Sequence, residues 1–255
     1  MSEAAASPPR RPVAVIIGAS SGVGRALVRA FAAAGYQLAI AARDARELEA
    51  TAADARLRFG VECLALAGDV GAAAWDLEGF VRSCTAALGE VDVVLLPIGV
   101  VFDDDVGPNP AVVESLAATN YIGPARLAAA FGRRMAERGS GSIIFFSSIA
   151  AAAPRKKNAA YSAAKAALEV YAKALRVSLE PAGVAVLVLT LGYVDTALSF
   201  GMPLRFPVAT PEAVATYVLK NALGRGGKRH FPSFWWWVTT ILRHLPWFVY
   251  RRLSF

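Results

Sequence analysis

The chain is poor in the residues from which metal sites and disulfide scaffolds are built. Its 255 residues include two cysteines, Cys63 and Cys84, and two histidines. That is too few for a stapled secreted domain or an ordinary structural zinc site, so no metal is expected and a cytosolic redox compartment is the economical reading. Charge is sparse as well: 18% of residues are charged against 56% hydrophobic, which excludes disorder as the main state. The first dozen residues are polar and Pro-rich with no apolar core, so residues 1–11 read as a disordered N-terminus and not as a secretory signal. Acids are missing from Lys220 to Phe255, a stretch that holds seven cations and four of the five tryptophans. The rest of the chain is then neutral, with 20 bases against 20 acids. A net charge of +7 confined to one end offers no phosphate-tracking surface, and no nucleic-acid partner is expected.

What the chain does have is short apolar runs alternating with helical stretches. Val13–Ile17, Gln37–Ala42, Val61–Leu66, Val91–Leu96, Ser142–Phe146 and Val184–Leu189 are expected strands. Their nearly unbroken Val/Ile/Leu character suits strands buried on both faces of a parallel sheet. Helices are expected over 25–34, 44–59, 73–88, 110–138 and 161–180, and Thr210-Pro211-Glu212 opens one more as an N-cap with Pro at the first helical position. Right-handed crossovers then make residues 12–227 one α/β domain, a Rossmann-type doubly wound parallel sheet, followed by a tail over 228–255.

The first strand runs into Gly18-Ala-Ser20-Ser21-Gly22-Val23-Gly24, which opens the first helix. Such glycines let a pyrophosphate approach the backbone N–H groups and the helix N-terminus. A tight turn with no ligand gives the same pattern; its place between strand and helix argues for the nucleotide. At the end of the second strand, where a carboxylate would hold the ribose of NAD, the chain has Ala42 and Arg43. The guanidinium could hold a 2′-phosphate, tempered by Asp44 next to it, so NADP(H) is favoured and NAD(H) stays possible.

Tyr161 and Lys165 stand four residues apart, on one helix face. A free phenol titrates near 10, and a neighbouring ammonium favours its ionised form, which makes the pair a candidate acid/base. Ser148 follows an apolar strand, where ligands bind in parallel sheets, and its hydroxyl could polarise a carbonyl, with Ser147 turned into the structure. Asn120 sits inside a helical stretch that disfavours it and could carry a water toward Lys165.

In order and spacing, Gly18/Gly22/Gly24, Asp69-Val70, Asn120, Ser148 and Tyr161-x-x-x-Lys165 resemble a short-chain dehydrogenase/reductase of the classical type over residues 12–225. The resemblance implies hydride transfer between a nicotinamide cofactor and a carbonyl or alcohol. It implies Tyr161 as general acid/base, with Lys165 lowering its pKa and binding the ribose. Ser148 would orient the carbonyl, Asn120 would support the proton relay, and Asp69 and Val70 would flank the adenine. Gly99, Gly192, Val194 and Thr196 would meet the ribose and carboxamide. Two departures stand out: Leu96-Pro97-Ile98-Gly99 replaces the family's Asn-Asn-Ala-Gly, and Leu191-Gly192 replaces its Pro-Gly.

In the tail, Phe234, Trp237, Val238, Ile241, Leu242 and Leu245 share a helical face opposite Thr239, Thr240, Arg243 and His244, before Pro246 and Arg251-Arg252. The apolar stretch is far shorter than the roughly 18–20 residues a membrane span needs. Residues 231–255 are instead expected to lie on a membrane surface, holding a cytoplasmic enzyme at the inner face; a tail that covers the core or a subunit interface is the alternative, since the family commonly forms homo-oligomers. The strand exit at Ile98-Gly99-Val-Val-Phe-Asp103, the stretch before Arg155-Lys156-Lys157-Asn158 and the Leu-Arg-His-Leu-Pro-Trp ending are similar to decaprenylphospho-2-keto-pentose reductases. That similarity implies a lipid-linked keto sugar, with Arg155, Lys156 and Lys157 near a phosphate and an apolar lid over 197–209 that includes Phe200, Met202, Leu204 and Phe206. A soluble reductase of steroid, retinoid or acyl substrates and a non-catalytic nucleotide-binding scaffold are the competing readings.

Overall fold

Val13–Ile17 (β1) is buried along its whole length, as an apolar run without alternation requires. The computed structural model describes residues 10–101, 109–199 and 206–252. In it β1 pairs with Gln37–Ala42 (β2) on one side and Val93–Leu96 (β4) on the other. Cys63–Ala67 (β3), Gly141–Ser148 (β5), Val184–Leu191 (β6) and Gly227–Phe231 (β7) extend the sheet to the order β3-β2-β1-β4-β5-β6-β7, with every pairing parallel. The strand order reverses between β1 and β4, and a parallel α/β sheet opens its binding crevice beyond the strand ends there.

Both faces are covered. Gly22–Ala33 (α1), Ala45–Phe59 (α2) and Pro211–Asn221 (α7) pack on one face around Ile16, Leu27, Phe31 and Leu95. Leu77–Leu88 (α3), Gly123–Arg138 (α5) and Ala159–Leu179 (α6) pack on the other around Phe80, Phe131, Phe145 and Leu168. Each such fully buried side chain stabilises the fold by about 1.5–3 kcal/mol. Cys63 and Cys84 are unpaired and buried, and burial pushes both thiols up to about 12. The expected caps form: Asp44 accepts from the Glu47 amide and Thr210 from the Ala213 amide.

Beyond shifts of up to three residues at strand and helix ends, the structure departs from the sequence reading at four places. Helix α3 begins four residues later than expected, because Asp76 caps it by accepting from Gly79 N, while the alanines before it form turns. The expected helix over 110–138 is instead Pro110–Ala117 (α4), a π-helical turn at Ala118–Ile122 and α5. Pro124 has no N–H to give the Asn120 carbonyl, so the backbone widens there. Residues 228–231, assigned to the tail from their charges, belong to the edge strand β7, where charged side chains reach solvent.

The fourth departure lies in the tail helix, Trp235–Arg243 (α8), which is followed by Trp247–Tyr250 (α9). Its inward side is Trp235 and Thr239, both buried, so the face expected to be polar contributes to the packing. Trp236, Trp237 and Ile241 face outward. Trp235 was in neither predicted face; the tertiary pocket beneath it, not helical periodicity, decided which side turned in.

Candidate active site

A cleft of about 610 Å³ opens at the carboxyl ends of the strands, where the order reverses. Gly18, Ser20, Ser21, Gly22, Val23, Gly24, Arg43, Asp69, Val70, Gly99, Ser148, Tyr161, Lys165, Gly192, Val194 and Thr196 all line it. Of the residues expected to catalyse or to hold the cofactor, Asn120 stands behind the wall.

The turn after β1 is shaped for backbone approach. A Cβ on Gly24 would lie 1.9 Å from the Gly18 carbonyl oxygen, and Gly22 adopts φ +48°, which few other residues tolerate. Only glycines let this turn pack so tightly under the N-terminus of α1, which leaves amides free for an anion. The residues therefore fit a dinucleotide pyrophosphate. Thr196 closes over the same turn, its side-chain methyl 3.1 Å from where a Gly22 Cβ would sit. The segment carrying Thr196 is held at its base by paired bonds, Ala209 N to Tyr193 O and Asp195 N to Ala209 O. Phe200, Met202 and Leu204 of the expected lid lie outside the described residues; Leu198, on the near side, lines the cleft.

Arg43 is exposed at the cleft edge, and Asp44, the feared competitor, is occupied in capping α2. Asp69 lines the cleft with its carboxylate turned back to accept from Gly71 N at 2.9 Å.

The end of β5 meets α6 rung by rung. Lys165 Nζ, 3% exposed, donates to the Phe146 carbonyl at 3.0 Å and to the Ile98 carbonyl at 2.8 Å. Two of its three protons are thereby engaged. Ser147 turns into the structure, as expected, and donates to Glu169 Oε1 at 2.8 Å. Ser148 accepts from Ala150 N at 3.2 Å and shares a hydrogen bond with the Tyr161 hydroxyl.

Two contacts bear on the expected roles of Lys165 and Asn120. Lys165 sits over the Tyr161 ring, Nζ 5.9 Å from the centroid, and is turned to the two carbonyls. Burial pushes the phenol above its ordinary value, opposed only by the Ser148 hydrogen bond. Desolvation is the largest influence on the phenol, and it also pulls the Lys165 ammonium down to about 8 against the attraction of Glu169. Tyr161 is thus held as a proton donor. Asn120, fully buried on the π turn, engages both ends of its amide with Val100, accepting from its N at 3.0 Å and donating to its O at 2.9 Å. Its side chain is a clip on the exit of β4. It provides side-chain bonding to a strand end where the family's asparagines are absent.

Sequence reasoning missed Trp235 and Glu169. A Cβ on Gly192 would lie 1.9 Å from Trp235 Nε1, so the loss of the family's Pro-Gly is matched by an indole packed on that backbone. Glu169 repeats the four-residue step from Tyr161 to Lys165 once more, a signal present in the sequence.

A short chain dehydrogenase family model matches residues 12–202. An uncharacterized oxidoreductase of Mycobacterium tuberculosis is 31% identical over 251 residues, covering 94% of this chain and 96% of that protein. Dehydrogenase/reductase SDR family member 7B of Danio rerio is 32% identical over 208 residues, 74% of this chain, and this chain spans 65% of its length. The solved short-chain dehydrogenase from Sphingobium yanoikuyae in complex with NADPH is 25% identical with a TM-score of 0.76, covering 95% of this chain and 96% of that one. The chain belongs to the short-chain dehydrogenase/reductase family of NAD(P)-dependent oxidoreductases.

Proposed function

We propose that this protein is an NADPH-preferring ketoreductase that works at a membrane surface on a lipophilic ketone, of the class of a keto sugar linked to a polyprenyl phosphate. The observation that carries the reading is the siting of the tail. Its outer surface exposes Trp236, Trp237, Ile241, Trp247 and Phe248, while its inner contacts reach the rim of the cleft. At one end Phe206 packs on Trp235 at 5.0 Å; at the other the Tyr250 hydroxyl donates to the Pro154 carbonyl, next to Arg155 of the cleft wall. Exposed indoles with Arg251 and Arg252 beside them, and no acid from Lys220 onward, match an anionic headgroup–acyl boundary. Among the described residues no helix is long and apolar enough to cross a membrane, so the mode proposed is interfacial. Arg155, on the cleft wall, is the proposed contact for a substrate phosphate; the side chain of Lys156 lies outside the described residues. A second copy of the chain is the proposed partner for Ile122, Val170 and Val177, which stand exposed on the π turn and α6.

The chemistry follows from protonation states. NADPH, when bound along the glycine turn, supplies the hydride. The Tyr161 hydroxyl, kept protonated by burial, gives its proton to the carbonyl oxygen as charge develops there. Ser148 donates to the same oxygen and aligns the phenol. Lys165 then faces a phenolate, which its ammonium stabilises from within the low-dielectric wall.

The test pairs flotation with turnover. The full chain is expected to float with anionic phosphatidylglycerol vesicles, and a Trp236→Ser/Trp237→Ser/Trp247→Ser variant is not. A polyprenyl-phosphate 2-keto-pentose in those vesicles is expected to be reduced faster than water-soluble ketones. Equal sedimentation with and without vesicles, together with rapid reduction of soluble steroid or acyl ketones, would replace this reading with that of a soluble reductase.

A further inference from the structure

We infer that Glu169 is a positioning residue for the Tyr161–Lys165 pair, and that through it the C-terminal helix α8 is tied to the catalytic side chains. This rests on the family chemistry and not on the membrane reading.

Residues 161, 165 and 169 lie at successive turns on one face of α6, and each holds one of three consecutive residues of β5. Tyr161 bonds Ser148, Lys165 bonds the Phe146 carbonyl, and Glu169 takes the Ser147 hydroxyl between them. Side chains alternate along a strand, so fixing Ser147 into Glu169 sends Ser148 to the cleft side. The same Glu169 Oε1 accepts from Thr190 Oγ1 of β6 at 3.1 Å. Its other oxygen receives Lys228 Nζ of β7 at 2.6 Å and lies 3.4 Å from Arg243 Nη2 of α8. The carboxylate side chain is only 11% exposed. A carboxylate so enclosed is tolerated only when its lone pairs are met, and here four elements converge on it.

The charged groups that face this cluster are Tyr161 and Lys165 from α6, Lys228 and His230 from β7, and Arg243 from α8. Burial and the cations beside it hold His230 near 4, hence neutral, with Nε2 3.2 Å from Thr239 Oγ1 of α8. Glu169 is then the one carboxylate in the group, and its charge opposes the desolvation of the Lys165 ammonium. Lys228 and Arg243 partly neutralise that charge. The docking of α8 therefore sets how much negative potential reaches Lys165.

The experiment titrates Lys165 directly, by NMR of protein carrying labelled lysine ε-carbons, with the resonance assigned from Lys165→Arg. Glu169→Gln is expected to lower the Lys165 midpoint by about one pH unit, the size of shift that loss of a nearby opposite charge produces. Glu169→Asp restores part of that shift, and the NADPH dissociation constant changes less than threefold. Lys228→Gln/Arg243→Gln leaves the carboxylate in place and is expected to raise the midpoint. Should Glu169→Gln fail to fold, the double variant carries the test alone. A midpoint that stays put in the variants that fold, while melting temperature falls, would overturn the inference and leave Glu169 a structural residue.

Discussion

Trp235 of α8 stands against the backbone of Gly192, so close that a Cβ on the glycine would lie 1.9 Å from the indole nitrogen. Tyr193, the next residue, meets the same indole edge-on at 5.4 Å. The segment that follows, through Val194 and Thr196, forms one wall of the cofactor cleft. The tail is thus a supporting layer of the site and not an appendage to it.

Gly192→Ala tests that contact. The added methyl must displace either the indole or the loop, and overpacking of this kind costs about 1–3 kcal/mol. The expected outcome is a lower denaturant midpoint and weaker NADPH binding, measured by cofactor fluorescence. Trp235→Ala in the same chain makes room and should recover part of both losses, giving a non-zero coupling energy in the double-mutant cycle. Strict additivity would show that the two residues do not press on each other.

Tyr161→Phe removes the proton donor while keeping the ring under Lys165. A loss of about 10²–10⁴-fold in kcat is expected, with NADPH affinity unchanged. Retained turnover would displace Tyr161 as the acid.

Alkaline pH should act first through Lys165. Its ammonium is pulled down to about 8 by burial, whereas burial moves the Tyr161 phenol up. Charge on the lysine is present below that value and is lost as pH rises through it. The log kcat/KM for ketone reduction, which reports the free enzyme, is therefore expected to be flat below pH 8 and to fall above it. Lys165→Arg, which stays charged throughout, should lower the plateau and move the fall to higher pH.

The parts legible in sequence were those set by local chemistry. Val13–Ile17 and Gln37–Ala42 were found to the residue, because an apolar run bounded by turn residues has few other fates. The glycine turn, Arg43 and Ser148 followed from glycine spacing and strand ends, and the remaining cleft residues from the family resemblance. What was not legible depended on distant partners. Residues 228–231 look like a basic tail until the pairing of β7 with β6 is seen. The inward face of α8 was set by the space beside Gly192, and the fate of Asn120 by a π turn that a missing proline N–H induces. The upward push of burial on the Tyr161 phenol was not legible for the same reason: spacing gives the cation's sequence distance, while desolvation depends on everything packed around the ring.

Asn120→Leu probes the π turn. Its side chain keeps similar volume but leaves the Val100 N–H and C=O, half-buried on the cleft wall, without a side-chain partner. An unmet buried group costs about 1–3 kcal/mol and water reaches these two in part, so a loss of about 1–2 kcal/mol is expected in urea unfolding with an unchanged m-value. The same change frees the chain at Gly99, whose Cβ position is 3.8 Å from both Asn120 Oδ1 and Lys165 Nζ. Activity should therefore fall further than stability alone explains at low temperature.

Arg43 decides the cofactor if the NADPH preference is right. It stands exposed at the cleft edge while Asp44 is committed to Glu47 N of α2, so its guanidinium is available to a 2′-phosphate. Hydrogen bonds to a charged partner contribute about 1.5–3 kcal/mol. Arg43→Ala should then cut kcat/KM for NADPH by about 10–100-fold and leave that for NADH nearly unchanged. Arg43→Asp should go further, since a carboxylate both repels the phosphate and accepts from a free 2′-hydroxyl, reversing the ratio. A wild-type enzyme that already prefers NADH, or an Arg43→Ala variant that loses both cofactors equally, would show the guanidinium to be general support for the nucleotide, with the phosphate read elsewhere.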